Sequence, residues 1–193
     1  MRRRLATVAA AVCSVWLVSI GTAAGTYAAV SARPVGLMGL WGTAEEVPGT
    51  AVLNTGGAAL VTSVSCASPG NCSAGGSYRD GSFHIQVFVV GQSNGTWGMA
   101  AEVPGTAVLN KGGSAQVTSV SCASVGNCSV GGDYTDGSFH NQAFVLGQSN
   151  GTWGTAAEVP GTAALNKGGS AQVTSVSCAS VGNCGAGGSY RDG

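Results

Sequence analysis

The chain has 193 residues and no net charge, and charged side chains make up only 8% of it. Disordered proteins are usually rich in charged residues, so a charged fraction this small argues against disorder. Together with the 33 glycines it favours an all-β fold with many tight turns. Beyond residue 32, five basic residues stand against eight acidic ones, and this net charge of about −3 excludes an electrostatic basis for binding nucleic acid.

The first 32 residues have the pattern of a secretory signal peptide. Arg2, Arg3 and Arg4 precede an uncharged apolar run over residues 5–20, and small residues follow it. A basic start, an apolar middle and a small-residue exit are typical of segments removed on export. We therefore predict a signal peptide over residues 1–32 and a secreted, extracellular domain over residues 33–193. The alternative is an uncleaved membrane anchor formed by residues 5–20, since that run is nearly long enough to span a bilayer.

Three nearly identical segments fill the rest of the chain. Trp41, Trp97 and Trp153 lie 56 residues apart, and each opens a copy, so that the repeats cover residues 41–96, 97–152 and 153–193. The third copy covers 41 residues of the unit. A period of this length indicates one supersecondary unit stacked on copies of itself.

Each complete copy predicts four strands joined by turns. In the first copy they are Leu60–Ala67, Cys72–Tyr78, Phe83–Gly91 and Thr96–Val103, and Thr106–Gly113 is predicted to be the connecting loop. Asp80-Gly81 has the composition of a two-residue type I′ hairpin turn. A repeated four-stranded antiparallel meander is the blade of a β-propeller. The alternatives are a β-trefoil or another stacked β repeat.

Each copy also carries two cysteines separated by five residues. In an exported chain this spacing predicts one disulfide per repeat, which would join the first two strands across their turn. The six residues are Cys66 with Cys72, Cys122 with Cys128, and Cys178 with Cys184. Two thiolates without a nearby histidine form an incomplete zinc site, so we expect neither a metal nor a cofactor.

Two short motifs carry a resemblance to known proteins. The string S-V-S-C-A-S-x-G-N-C-x-x-G-G-x-Y, followed by G-x-W-G and E-V-P-G, resembles the repeats of exported actinobacterial proteins that are regarded as propeller-like. The turn from Ser93 to Trp97 resembles the Asp-box, or bacterial neuraminidase repeat, of sialidase-type propellers, with Asn94 nearest to the place of the missing aspartate. The resemblance implies a propeller blade and no particular activity.

Few polar side chains suggest chemistry, and each has a structural interpretation that we favour. We predict that His84 and His140 lie on the surface or between blades, that the three glutamates form a solvated ring, and that the three aspartates are turn residues. The glutamates are Glu46, Glu102 and Glu158, and the aspartates are Asp80, Asp136 and Asp192. The aromatic residues are spaced for core or inter-blade packing.

One sequence pattern is shared with hydrolases. Ser93 and Ser149 each stand in G-Q-S-N-G, which matches the G-x-S-x-G nucleophile elbow, but that motif requires a strand-to-helix turn. Here a tryptophan-bearing strand follows, so we interpret both copies as structural turns. We therefore predict no catalytic residues and no enzymatic activity.

The most favoured function is that of a non-catalytic extracellular binding or scaffold module. We expect its partner to be a cell-wall glycan or a protein, bound by the loops Thr106–Ala115 and Thr162–Ala171. Two complete units and part of a third are fewer than the 4 to 8 blades of a propeller, so we also predict self-association through exposed blade edges. The alternatives are an incomplete duplication product without a binding role and a fragment of a sialidase-like glycoside hydrolase.

Overall fold

The computed structural model describes residues 43–193, and the predicted signal peptide lies outside this range. The described chain is all-β except for three single helical turns, and it contains three units that follow one another in sequence. Unit 1 contains α1 (Thr50–Leu53), β1 (Ala59–Ser68), β2 (Asn71–Arg79), β3 (Ile85–Ser93), β4 (Thr96–Trp97) and β5 (Ala101–Glu102). Unit 2 contains α2 (Thr106–Leu109), β6 (Ala115–Ser124), β7 (Asn127–Thr135), β8 (Asn141–Ser149), β9 (Thr152–Trp153) and β10 (Ala157–Glu158). Unit 3 contains α3 (Thr162–Leu165), β11 (Gln172–Ser180) and β12 (Asn183–Ser189).

Units 1 and 2 are antiparallel meanders, as the sequence predicts. Strands β1, β2 and β3 pair in order, and the predicted fourth strand is split into β4 and β5, which pair with successive parts of β3. Strands β6 to β10 repeat this arrangement, and β11 pairs with β12 in unit 3. Apart from Thr96 and Thr152, the outermost strand segments of each complete unit therefore consist of residues that open the next sequence repeat.

The three predicted disulfides are present. Cys66 lies directly opposite Cys72 in the pairing of β1 with β2, and the equivalent cysteines face each other in units 2 and 3. The S–S distances are 2.04, 2.09 and 2.09 Å. Each bond joins the two strands of a hairpin next to its turn. We refer to the three segments 66–72, 122–128 and 178–184 as the disulfide hairpins.

The predicted Asp80-Gly81 type I′ turn is wrong. Such a turn requires positive φ at both central residues, whereas in this loop the left-handed residue is Phe83, with φ of 64°. The Asp80 carboxylate instead accepts hydrogen bonds from the backbone N–H groups of Ser82 (2.8 Å) and His84 (3.0 Å). This side-chain cap widens the loop, so β3 begins at Ile85, two residues after the predicted start. Asp136 organises the same loop in unit 2.

The predicted connecting loop Thr106–Gly113 begins with a helical turn, α2. Thr106 is fully buried and its hydroxyl donates to the Val103 carbonyl at 2.7 Å, while Gly105 precedes the turn with φ of 90°. The turn is only four residues long, so its sequence T-A-V-L has no helical periodicity that a pattern search would detect.

Neighbouring units are joined by a junction that occurs twice. Its apolar part is formed by two valines of the later unit, which lie on a glycine of the earlier one. A Cβ atom placed on Gly75 would lie 2.8 Å from Val117 Cγ1 and 3.2 Å from Val120 Cγ2. Val173 and Val176 lie in the same way on Gly131. Because only a residue without a side chain leaves this space, the glycines let the sheets approach closely.

The polar part of the junction consists of hydroxyl groups of the earlier unit that bond to the backbone of the later one. Ser63 Oγ accepts the N–H of Val120 at 2.9 Å, Ser65 Oγ accepts the N–H of Cys122 at 3.0 Å, and Thr62 Oγ1 donates to the Val117 carbonyl. Ser119, Ser121 and Thr118 make the same three bonds to unit 3. The T-S-V-S string of each copy therefore joins the units together as well as forming a strand.

The buried core crosses this junction. Val87 and Val89 of β3 belong to the same apolar cluster as Val117, Val120 and Val130 of unit 2. Four of the aromatic residues lie where packing was predicted, since Phe88, Phe144, Tyr78 and Tyr134 are all at most 4% exposed. The units therefore depend on one another for burial, as expected of a repeat architecture.

Candidate binding grooves beside the disulfide hairpins

Of the three glutamates predicted to form a solvated ring, Glu102 and Glu158 are half-buried and bind tyrosines, whereas Glu46 is exposed and accepts a hydrogen bond from the Thr50 hydroxyl. Tyr78 donates its hydroxyl to Glu102 Oε2 at 3.1 Å, and Tyr134 donates to Glu158 Oε2 at 3.3 Å. Burial, together with the nearby carboxylate charge and this hydrogen bond, raises the pKa of Tyr134 to about 12 and that of Tyr78 further still. The prediction of a solvated ring is therefore wrong for Glu102 and Glu158, because the tyrosine that each of these two binds is buried in the packed unit, whereas Glu46 is exposed as predicted.

The histidines and aspartates meet in the loop after the second strand. His84 Nδ1 lies 3.9 Å from Asp80 Oδ2, and its ring lies against Gly113 of the next unit. His140 lies in the same way against Gly169. Burial opposes ionisation of Asp80, but hydrogen bonds from Gln86 and from the backbone of His84 and Ser82 outweigh it and lower the pKa of this carboxyl group. These side chains shape the loop and the boundary between units.

The loops predicted as a recognition face contribute to the junctions. Asn110 Nδ2 donates to the Ile85 carbonyl and to Gln86 Oε1 of the preceding unit, both at 3.0 Å. Asn166 makes the equivalent pair of bonds, both at 2.9 Å, to Asn141 and Gln142. Both asparagines are only 6% exposed. The side-chain amide groups of both asparagines thus donate within the protein, whereas Asn110 Oδ1 is buried and has no hydrogen-bond partner among residues 43–193.

The two G-x-S-x-G strings form hairpins between strands. Asn94 and Gly95 have φ of 49° and 83°, the positive values of a type I′ turn, and Ser93 pairs with Thr96 across it. The Asn94 N–H donates to Asn71 Oδ1 at 3.2 Å, and the Gly95 N–H donates to the Gly70 carbonyl at 2.8 Å. The turn is therefore tied to the disulfide hairpin of its own unit. The strand-to-helix geometry of a nucleophile elbow is not the geometry found here.

Two equivalent grooves lie beside the disulfide hairpins, one repeat apart. The first groove has a volume of about 270 Å³ and lies between the hairpins of units 1 and 2, where Ser73, Gln92 and Ser93 of unit 1 meet Gly126 and Gln148 of unit 2. The second groove has a volume of about 250 Å³ and is lined by Ser129, Gln148 and Ser149 of unit 2 and by Gly182 of unit 3. Disulfide-bonded cysteines form part of both walls.

The chemistry of both grooves is uncharged and capable of hydrogen bonding. All lining residues are neutral, and amide and hydroxyl groups supply donors as well as acceptors. Gln148 lines both grooves. Its Nε2 donates to the Gly151 carbonyl at 3.2 Å, whereas its Oε1 is buried and has no hydrogen-bond partner within the described residues. A buried acceptor without a partner is uncommon in folded proteins, and Asn110 Oδ1, which lines neither groove, is another such atom among residues 43–193.

Sequence reasoning missed these grooves. Gln92 and Gln148 stand inside G-Q-S-N-G, where only the Asn-Gly pair is needed to form the turn. The signal that could have indicated the grooves is that both copies carry the same glutamine at a position where the turn geometry does not require one. Their arrangement in space, however, depends on two units meeting, which a pattern within one repeat does not show.

Within residues 43–193 no helix is long and apolar enough to cross a membrane, and no three His, Cys, Asp or Glu side chains cluster as a metal site would require. In comparisons with known proteins, no family model matches the chain and no curated protein is significantly similar to it.

Proposed function

We propose that the protein is an exported, non-catalytic binding module made of propeller-like blades, and that its two grooves bind a neutral carbohydrate polymer. The observation that carries this proposal is the pair of uncharged grooves one repeat apart, both lined by Gln148, whose Oε1 has no hydrogen-bond partner among residues 43–193. The resemblance to exported propeller-like repeats, together with the four-stranded meander, supports the architecture.

A neutral polysaccharide matches this chemistry better than a charged ligand. Sugar hydroxyls both donate and accept, and the serine hydroxyls and glutamine amides of the grooves do the same. An anionic or cationic ligand would be buried without a countercharge, which is costly. Two equal sites in series also suit a ligand that repeats along its length, because binding at one groove raises the effective concentration at the next.

The recurring polar residues outside the grooves support a non-catalytic role. Glu102 binds a tyrosine, Asp80 caps a loop, Asn110 bridges two units and Ser63 binds a neighbouring strand. Export is supported by the three disulfides, which are typical of oxidising compartments, and by the pattern of the first 32 residues.

The test is retention of the oxidised protein on insoluble neutral glycans, followed by calorimetric titration with soluble oligosaccharides of the retained type. We expect Gln148→Ala to weaken binding about tenfold, since loss of one buried hydrogen bond costs about 1–2 kcal/mol. The matched control is Gln116→Ala, which changes an exposed glutamine of the same unit outside both grooves. Absence of retention on every glycan, or equal affinity of the two variants, would refute the proposal.

A further inference from the structure

The junction that joins the units has one unused half at each end of the described chain. The later-unit half, which we call the valine face, is formed in unit 1 by the side chains of Val61 and Val64 and the backbone of Val61, Val64 and Cys66. The earlier-unit half, which we call the hydroxyl face, is formed in unit 3 by Thr174, Ser175, Ser177 and Gly187. We propose that the valine face of one copy binds the hydroxyl face of a second copy, so that the protein associates head to tail.

The exposed fractions of equivalent valines in the three units show that the valine face of unit 1 is uncovered. Val117 and Val120 are 0% and 6% exposed, and Val173 and Val176 are 3% and 8% exposed, because each pair lies on the glycine of a preceding unit. Val61 and Val64 occupy the same strand positions and are 42% and 58% exposed. The equivalents of Val61 and Val64 are buried against another copy of the repeat unit. The exposure of these two neighbouring valines therefore indicates that a further copy of the unit is the partner that fits them.

The hydroxyl face offers the matching surface. Among residues 43–193, nothing lies within 4 Å of a Cβ placed on Gly187, whereas Gly75 and Gly131 at the same position are each covered by two valines. Thr174, Ser175 and Ser177 are exposed, while their equivalents Thr62, Ser63 and Ser65 bond to the next unit. The three hydroxyl groups and the cradle for the valines are therefore already in place.

The strands needed for the junction are present in unit 3. In both internal junctions the first strand of the later unit packs chiefly against the first two strands of the earlier unit and less against its third. Unit 3 supplies those first two strands as β11 and β12. The bonds of Asn110 and Asn166, whose partners lie on third strands, are not part of the proposed interface.

The two faces differ, so the association is heterologous. Such contacts build closed rings when the rotation between copies closes and open fibres when it does not. This contact between faces differs from the self-association predicted from the sequence, in which exposed strand edges of two copies would pair.

The test combines two variants, each of which blocks one face. Val64→Asp places a charge on the valine face, and Gly187→Val fills the cradle at a site that is open in the single copy. For the wild-type protein, expressed by an oxidising secretory route, we expect a mass that rises with concentration in analytical ultracentrifugation. We expect each variant alone to be monomeric, with an association constant reduced at least about 30-fold, as for loss of an interface hot spot.

Mixing the two variants separates this interface from others. Each retains the face that the other has lost, so an equimolar mixture should form a heterodimer and nothing larger. The control is Leu60→Gln, which removes an exposed apolar residue from the same strand and introduces the residue found at 116 and 172; it should associate like the wild type. Unchanged circular dichroism would show that all variants fold. A monomeric wild type, a monomeric mixture, or dissociation of the control would overturn the proposal.

Discussion

Replacement of Val117 by alanine measures how strongly one unit depends on its neighbour. Val117 is fully buried and lies on Gly75 of unit 1, so alanine removes two carbon atoms from the junction. The lost transfer free energy is about 1.6 kcal/mol, and the cavity left behind adds roughly 1 kcal/mol. We therefore expect the free energy of unfolding to fall by about 2–3 kcal/mol.

Val61→Ala is the matched comparison, because Val61 stands at the same position of unit 1 and is 42% exposed. Water reaches this site, so no closed cavity forms and the loss should be about 1 kcal/mol or less. The measurement is urea unfolding of the oxidised protein, followed by tryptophan fluorescence at concentrations low enough to prevent association. With an m-value of about 2 kcal/mol/M the two midpoints should differ by roughly 1 M. Equal midpoints would refute the reasoning that the junction buries Val117 and leaves Val61 free.

Three further predictions use the same unfolding assay. Replacing Cys122 and Cys128 together by serine should lower the free energy of unfolding by about 2 kcal/mol, because the unfolded chain gains conformational entropy when this short loop is opened. A loss near zero would contradict a structural role for the disulfide. The pKa of folded Tyr134 is raised to about 12, whereas that of an unfolded tyrosine is about 10, so the free energy of unfolding should fall as pH rises through this range. Tyr134→Phe should reduce that loss of stability. An unchanged dependence of stability on alkaline pH would count against the contact with Glu158. Burial opposes ionisation of Asp136, but hydrogen bonds from Gln142 and from the backbone of His140 and Ser138 outweigh it and lower the pKa of the folded carboxyl group. The stabilisation by Asp136 is therefore present above the unfolded pKa of about 4 and is lost as pH falls through the folded value. The stability of Asp136→Ala should depend less on acid pH than that of the wild type, and identical acid profiles would disprove this role.

The parts of the fold that sequence predicts well are those set by neighbouring residues. The alternation of Leu60–Ala67, the break at Pro69-Gly70 and the cysteine spacing together define a hairpin and its disulfide without any distant contact. The Asn94-Gly95 turn follows from the left-handed preference of its own two residues. These features recur in unit 2, because the local sequence recurs.

The features that were missed depend on side chains that bind the backbone or a second unit. Asp80 caps its own loop with a carboxylate, so the Asp-Gly pair does not behave as a free turn. Ser63 and Ser65 fit a polar strand face, and only the neighbouring unit shows that they accept its N–H groups. The grooves are missed for the same reason, since Gln148 gains its position from the meeting of two disulfide hairpins.

Amide hydrogen exchange at Val64, Val120 and Val176 tests most directly whether one repeated junction organises the molecule. The N–H groups of Val120 and Val176 donate to Ser63 and Ser119, whereas Val64 occupies the same position without a preceding unit among residues 43–193. At high dilution we expect slow exchange at Val120 and Val176 and fast exchange at Val64, whose exchange should slow as concentration rises. Equal rates at all three amides in dilute protein, or fast exchange at Val120, would contradict the account.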